Sequence, residues 1–210
     1  SPQNTATIFS LTDARSIFSP YNTFFPISFV VQGSDTTKYN FVAKTLAQFM
    51  FAMEIDAEKP EGLAAIREIL DVDFSRGRGS IADKIHRRVR SVYRKYSDAF
   101  TYTENSNDHE FLKFIVGLRL QAEQNPRFKN NLLSTQSNSD SIIAEDTEES
   151  RWGMEKTEDT YSGINILGKA IQIVARTLSL SNTINTENKI SQLIQNPLDQ
   201  IISRKLDIAT

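Results

Sequence analysis

The segment YNFVAKTLAQFMFAM, residues 39–53, is where the hydrophobic pattern of the chain becomes helical. Its apolar residues recur three or four positions apart, as they do on the buried face of an amphipathic helix. These residues are Val42, Leu46, Phe49, Met50 and Met53. We therefore predict a helix that starts near Tyr39, ends before Pro60 and packs its Phe and Met side chains into a core.

The sequence on either side predicts short strands upstream and further helices downstream. Strand-like stretches occupy residues 7–9 and 28–31. Ser80 is a predicted N-cap, and Asn107 with Glu110 resembles a capping box. Helical spacing returns in segments that begin at Glu61, Ser80, Asn107, Asn125 and Gly163. The predicted fold class is mainly α, that is, α+β with a small β element near the N-terminus.

The composition limits the classes of protein that this chain can be. It has 210 residues, 24 Lys and Arg against 26 Asp and Glu for a net charge of −2, and no cysteine. The lack of cysteine excludes a disulfide scaffold, a thiolate nucleophile and a cysteine-ligated metal site. The longest apolar run, 49–53, is far shorter than the roughly 18 residues of a membrane-spanning helix, and the first residues do not resemble a signal peptide. We expect a cytoplasmic protein without a membrane partner.

Neither histidine marks a metal site. His86 and His109 are far apart in the sequence, and neither has a carboxylate four residues away, as helical metal ligands often do. No phosphate-binding glycine loop or Ser-His-Asp arrangement is present either. We expect no metal and no cofactor.

The net charge hides a basic segment at 76–95, in which Asp83 is the only acidic residue. If the apolar residues of this helix face inward, four basic side chains point outward: Arg87, Arg88, Arg94 and Lys95. They could contact the phosphates of a nucleotide ligand or of a nucleic acid. The alternative is a solvated helix face that is balanced by the acidic segment 145–149.

Three segments, taken in order, resemble the NADAR family, the NAD- and ADP-ribose-associated domains related to a riboflavin-pathway N-glycosidase. YNTFFPISF at 21–29 is similar to the family's F-S-N-F-Y-P-S-P-F stretch, and LQAEQNPRFKNNLLST at 120–135 to its K-F-x-Q-N-x-x-L-x-x-x-L-L-x-T signature. RWGM at 151–154 and YSGINILG at 161–168 resemble the closing W-G-x-G and W-x-G-x-N-x-L-G elements. The resemblance implies a NADAR-like domain over 9–178, preceded by a flexible lead at 1–8 and followed by a helical extension at 179–210.

The resemblance also implies the chemistry, which is hydrolysis of an N-glycosidic bond between ribose and a base. The substrates would be ADP-ribosylated guanine or a phosphoribosylamino-pyrimidine. Positive charge develops on the ribose as the C–N bond stretches, so the site needs a carboxylate, or an amine that traps the opened sugar. The residues implied to bind the ligand are Phe25, Gln48, Phe49, Trp152, Gly153, Tyr161, Gly163 and Asn165.

Several of these residues also have an ordinary structural interpretation. Gly163 and Asn165 would open a helix whose free amides bind a phosphate, or Gly163 would simply begin the helix while Gly168 permits close packing. Trp152, the only tryptophan, could stack on a base or belong to the core. Phe49 lies in the predicted core stripe.

The sequence departs from the family pattern at its reactive positions. The family helix S-x-E-H/Q-Y-x-x-x-Q-K, laid on 45–54, puts Ala47 at the reactive Glu and Glu54 at the reactive Lys. In the acidic segment Ala144 and Glu149 fall at the family's Glu and Asp, unless a shift of one residue lets Glu145 serve. The candidate catalytic residues are therefore Glu54, Glu145 and Glu149.

These departures leave three functions open. The first, which the substitutions favour, is a NADAR-like domain that binds ADP-ribose, a ribosylated base or a related nucleotide with catalysis weakened or lost. The second is an active N-glycosidase that uses Glu54 or Glu145. The third is a protein-interaction module with a vestigial pocket. The apolar residues of 179–210 would either cap the core or form a homo-oligomer contact.

Overall fold

The computed structural model describes residues 6–100, 107–138, 141–147 and 151–183. The strands are β1 Thr7–Ser10, β2 Ile27–Gln32, β3 Lys38–Ala43, β4 Ile142–Glu145, β5 Glu155–Thr157 and β6 Thr160–Ser162. The helices are α1 Leu46–Ala52, α2 Gly62–Leu70, α3 Ile81–Lys95, α4 Asn107–Gln124, α5 Pro126–Asn138 and α6 Ile166–Thr183, with a 3-10 turn at Ser97–Ala99. The fold is a mixed α+β arrangement in which helices dominate.

The strands form three separate two-stranded sheets. β1 pairs with β4 in parallel, whereas β2 with β3 and β5 with β6 form antiparallel hairpins. The predicted β element at the N-terminus is present, but strands also occur between 142 and 162. The parallel pair joins two parts of the chain that are far apart in sequence, because β1 begins at Thr7 and β4 begins at Ile142.

Helix α4 is the central element of the core. It packs against α1, α5, α6 and β2. Gly117 makes the contact with α1 possible: a Cβ atom at this position would lie 2.4 Å from Leu46 Cδ1 and 3.0 Å from Phe49 Cδ1. The first half of α1 and the middle of α4 are therefore held close together.

The predicted helix from Tyr39 is wrong in its first part. Residues 38–43 form β3 and pair with β2, and α1 begins only at Leu46. The side chains of 39, 41 and 43 are more buried than those of 38, 40 and 42, which is the two-residue alternation of a half-buried strand. Val42, assigned to the helical stripe, is 53% exposed on this strand.

Thr45 sets the boundary between β3 and α1. Its backbone is extended, and its side-chain oxygen accepts a hydrogen bond from the Gln48 amide at 3.1 Å, as an N-cap does. Phe49, Met50 and Met53 are buried in the core, as predicted.

The remaining predicted helices are present with small shifts. α2 begins at Gly62, α5 begins at Pro126, and α6 begins at Ile166 rather than Gly163. Ser80 caps α3 in a full capping box: its Oγ accepts from the Asp83 amide at 3.1 Å, and Asp83 Oδ2 accepts from the Ser80 amide at 3.0 Å.

The described part of the chain includes α6 to Thr183, so most of the predicted extension 179–210 lies outside it, and with it the proposed homo-oligomer contact. β1 includes residues 7 and 8 of the predicted lead. Across the described ranges, no helix combines the length and apolar character needed to cross a lipid bilayer.

Candidate functional site

A lysine and two glutamates meet where α1 ends beside α4. Lys113 Nζ lies 3.1 Å from Glu110 Oε1 and 3.6 Å from Glu54 Oε1. Glu110 Oε2 accepts a hydrogen bond from Trp152 Nε1 at 2.8 Å. The side chains of Lys113 and Glu110 are 3% and 5% exposed, whereas that of Glu54 is 28% exposed. We call these four residues the buried ion cluster; it reaches solvent through Glu54.

Each member of the buried ion cluster is positioned by a different local feature. Glu110 and Lys113 are one turn apart on α4, so their side chains lie on the same face. Glu54 lies in the turn after α1, where its amide donates to the Phe51 carbonyl at 3.1 Å. Burial of charged groups is expensive unless each is paired, and the mutual contacts satisfy that requirement here.

Aromatic rings line one side of the cluster. Trp152 packs edge-on against Phe114, with centroids 4.9 Å apart, and at a tilt against Phe51 at 5.8 Å. The Phe51 ring meets the His86 ring edge-on at 6.0 Å. His86, Phe51, Trp152 and Phe114 form what we call the aromatic row. Its first three members are partly exposed, so a flat ligand has a surface to contact.

A tyrosine supports the far end of the aromatic row. Tyr21 Oη is hydrogen-bonded to His86 Nε2 at 2.8 Å, and the two rings are edge-on with centroids 5.5 Å apart. Tyr21 is only 2% exposed. The hydrogen bond from this buried tyrosine thus fixes the orientation of the His86 ring.

Three of the predicted ligand-binding residues lie in the core. Phe25 packs against Phe128 with centroids 5.2 Å apart, and Phe49 packs edge-on against Phe29 at 5.3 Å. Gln48 is fully buried, accepts from Thr45 Oγ1 at 3.0 Å and donates to the Ile69 carbonyl at 3.0 Å. Gln48 therefore ties α1 to the end of α2. Ala47, also fully buried, brings no chemical group to the cluster.

Asn165 acts on β4 in place of a neighbouring strand. Its Nδ2 donates to the Ile142 carbonyl at 2.8 Å, and its Oδ1 accepts from the Ala144 amide at 3.2 Å. Its backbone is left-handed, with φ of 55°. The side chain is therefore engaged within the fold. Gly168 allows this approach, since a Cβ there would lie 2.2 Å from the Ile142 carbonyl oxygen.

Gly153 and Gly163, which the sequence predicts as ligand-binding residues, each lie close to the backbone of another segment. A Cβ at Gly153 would lie 2.6 Å from the Ala144 carbonyl oxygen. Gly163 has a φ of 136°, a conformation that side chains rarely adopt, and a Cβ there would meet the Gly153 carbonyl oxygen at 2.9 Å. Gly153 thus lets the chain beside Trp152 lie against β4, and Gly163 lets the residue after β6 lie against Gly153.

Glu145 and Tyr161 form a separate pair. Tyr161 Oη donates to Glu145 Oε2 at 2.9 Å, and this hydrogen bond to a carboxylate raises the pKa of Tyr161 above its usual value. The bond fastens the β5–β6 hairpin, which follows Trp152 and Gly153, to the end of β4. Glu149, the third predicted catalytic residue, lies outside the described residues.

Three of the four residues predicted to contact phosphates bond to α2 or to the loop between α2 and α3. Arg88 Nη1 donates to the carbonyls of Glu68 and Asp71, at 2.9 and 2.8 Å, and Arg87 donates to the Arg78 carbonyl. Lys95 Nζ lies 2.7 Å from Glu68 Oε1. Glu68 raises the pKa of Lys95 to about 12, and Lys95 in turn lowers that of Glu68.

Arg94, the fourth, is exposed on the same helix. The other three cations of this face bond to backbone carbonyl oxygens, for Arg87 and Arg88, and to Glu68, for Lys95.

The structure thus brings together Glu54 and Trp152, which the sequence singled out, with Lys113 and Glu110, which it did not. Glu110 had the appearance of a capping residue, and a single lysine in an apolar helix carries little signal. One signal in the sequence could have indicated a buried ion pair. Lys113 is one helical turn from Glu110 and lies between Leu112 and Phe114.

No group of three or more histidine, aspartate and glutamate residues in the described ranges is placed to hold a metal ion. No protein-family model, curated protein or solved structure matches the chain. The chemistry of the buried ion cluster is therefore the main guide to function.

Proposed function

We propose that the protein is an N-glycosidase that cleaves the bond between ribose and an amino nitrogen of a base. The observation that carries this proposal is the contact between Lys113 and Glu54. The resemblance to the NADAR family implies a reactive Glu and Lys on one helix, whereas positions 47 and 54 hold Ala and Glu. A lysine from α4 beside Glu54 supplies the same two functional groups from different elements.

The charge of the cluster suits a reaction that builds a cation. Two carboxylates and one ammonium leave one net negative charge, most of it shielded from solvent. Such a charge stabilises the developing oxocarbenium ion more strongly in a water-poor site than it would in bulk water. The partly exposed rings of the aromatic row, which meet edge-on or at a tilt, provide apolar contacts for the base or the ribose.

The residues can be given roles in the reaction. The C1′–N bond breaks, and its electron pair goes to the leaving nitrogen, which takes up a proton. Glu54, the most exposed of the three charged groups, faces the ribose and accepts a proton from the water that attacks C1′. Glu110, bound by Lys113 and Trp152, is a positioning residue that fixes both partners.

The test is release of free base from two substrates, ADP-ribosylated guanine DNA and a phosphoribosylamino-pyrimidine, followed by chromatography. We expect turnover of at least one substrate, and a loss of roughly 10²-fold or more in Glu54→Gln, as for removal of a general base. Glu61→Gln is the matched control, since Glu61 is exposed and makes no side-chain cap bond. Turnover that is unaffected by Glu54→Gln would overturn the assignment.

A second candidate, binding of ADP-ribose or a related nucleotide without hydrolysis, is favoured by the full burial of Ala47 at the family's reactive position. In that case calorimetry would detect ADP-ribose binding while neither substrate releases base. Absence of both binding and turnover would argue against each of these functions and leave a protein-interaction role.

A further inference from the structure

We propose that His86, held by Tyr21, is the proton donor for the leaving base. This inference rests on the proposed N-glycosidase function. It assigns the protonation of the leaving nitrogen, for which the buried ion cluster supplies no group. An amino nitrogen is a poor leaving group as an anion, so cleavage needs an acid on the base side of the bond. Glu54 and Glu110 are already committed, one to the ribose side and one to Lys113 and Trp152.

The aromatic row connects His86 to the buried ion cluster. Phe51 touches both the His86 ring, at 6.0 Å between centroids, and the Trp152 ring, at 5.8 Å. The His86 and Trp152 centroids are therefore at most about 12 Å apart. A substrate lying along the row, with its ribose at Glu54, places its base toward His86.

Histidine is suited to this role, because its charge changes near neutral pH and small environmental effects move it across that range. The hydrogen bond to Tyr21 Oη at Nε2 defines which proton can move. In the proposed step the imidazolium donates Nε2–H to the tyrosine oxygen and passes its Nδ1 proton to the leaving nitrogen. The neutral ring that remains keeps its bond to Tyr21, so no rearrangement is needed.

Tyr21 is a positioning residue in this scheme. Its hydroxyl lies in the core, where the ring is 2% exposed, and it cannot itself reach a ligand. Its contribution is to fix the orientation of His86 against the edge of Phe51.

The experiment uses a series of ribosylamino-pyrimidines whose ring substituents make the amine a progressively better leaving group. Wild type, His86→Gln, Tyr21→Phe and Glu54→Gln are compared by kcat/KM for every member. Loss of an acid matters most where the leaving group is worst. We expect His86→Gln to lose about 10²-fold with the poorest leaving group and less than about threefold with the best.

The controls separate this role from a structural one. Tyr21→Phe should give the same trend with a smaller amplitude, whereas Glu54→Gln should lose activity evenly across the series. Arg90→Gln, an exposed change on the same helix, should leave all rates unchanged. Circular dichroism and thermal melts verify that each variant folds. If His86→Gln does not fold, the trend in Tyr21→Phe is used to test the proposal.

The outcomes are distinct for the two proposals. An equal loss across the series in His86→Gln, or no loss at all, overturns the role of His86 while leaving the N-glycosidase function in place. Failure of wild type to cleave any member overturns the proposed function and, with it, this assignment.

Discussion

Lys113 is the residue whose removal should reveal most about the site. Lys113→Met keeps the volume but leaves Glu110 and Glu54 facing each other without a cation. Breaking a buried ion pair by removing one partner costs about 3–5 kcal/mol, and we expect a loss near the lower end, because Glu54 is partly hydrated. Urea denaturation measures the loss in free energy of unfolding.

Two further variants identify the cause of that loss. Lys113→Met combined with Glu110→Gln removes the uncompensated charge and should recover part of the stability. Lys169→Met, an exposed change on α6, should have little effect. A stable Lys113→Met protein would mean that the carboxylates are protonated or hydrated there, and that the lysine is not needed to balance them.

Asn165 supports a second prediction at the level of a single residue, because it combines a strained backbone with two hydrogen bonds. Asn165→Gly loses the two hydrogen bonds but adopts the left-handed conformation easily. Asn165→Ala loses the same two bonds and also adopts that conformation at a cost. We expect both variants to be destabilised, with Ala worse than Gly by about 1–2 kcal/mol, the usual cost of this conformation for alanine. Thermal or urea unfolding gives the comparison, and equal stabilities would contradict the backbone contribution.

At the residue level, the sequence draws attention to side chains that stand out chemically and gives no sign of those whose partners come from another part of the chain. Glu54 was singled out because it falls at the position of a reactive lysine in the family pattern that residues 45–54 resemble. Lys113 was missed because its importance depends on the packing of α4 beside α1, which Gly117 permits and which no local pattern encodes. The engagement of Asn165 with β4 likewise joins residues about 20 positions apart.

At the level of elements, the junction between α2 and α3 should depend on pH. Lys95 and then Tyr96 lower the pKa of Glu68 below its ordinary 4.5. A carboxyl with a lowered pKa stabilises the fold above that ordinary value, and the stabilisation disappears as the pH falls through the folded-state pKa. Lys95→Met should therefore reduce stability at pH 7 and have a smaller effect at pH 3.

The effect should be small, because the side chains of Lys95 and Glu68 are 60% and 34% exposed. Pairs this accessible contribute less than about 1 kcal/mol. This contribution is measured from urea unfolding midpoints at both pH values. The proteins compared are wild type, Lys95→Met and the exposed control Lys38→Met. A difference between wild type and Lys95→Met that does not shrink at acid pH would assign the effect to packing instead.

The helix–strand boundary shows why one element was predicted wrongly. Over 38–43 the apolar residues satisfy a helical spacing with those of α1, but they also alternate inward and outward. Pairing with β2 decides between the two patterns, and that pairing depends on a hairpin partner rather than on the segment itself. Helices with their own caps, such as α3 with Ser80, were predictable because the deciding contacts are local.

At the level of the whole molecule, the close approach of α1 and α4 should control both stability and activity. Gly117→Ala would gain about 1 kcal/mol of helix propensity, yet its Cβ would lie 2.4 Å from Leu46 Cδ1. Overpacking of a core costs typically about 1–3 kcal/mol, so we expect a net loss of stability. Because Glu54 follows α1 and Lys113 lies on α4, the proposed release of base should fall as well.

Thermal unfolding and turnover should be measured together for this variant. Ser91→Ala, an exposed small-residue change on α3, provides the control. A Gly117→Ala protein that is more stable than wild type would show that the two helices can separate without cost, and would weaken the view that their spacing positions the buried ion cluster.

The architecture as a whole was predictable only in outline. Counting periodic segments indicates a helix-rich α+β chain, and, apart from the first part of the helix predicted from Tyr39, the described helices lie close to where the spacing predicts them. The parallel pairing of β1 with β4 could not be anticipated, because it joins residues more than 130 positions apart and each strand has only four residues. Such short strands carry almost no independent signal.

The contacts of β4 have a consequence for how copies of the protein behave at high concentration. One edge of β4 pairs with β1. Along the other edge, the Asn165 side chain bonds to the Ile142 carbonyl and the Ala144 amide. The Met154 backbone bonds to the Ala144 carbonyl and the Asp146 amide, at 2.8 Å each. An open strand edge is a template on which another chain can add. Because one amide side chain and a short loop fill that edge, β4 offers no open edge for intermolecular strand addition.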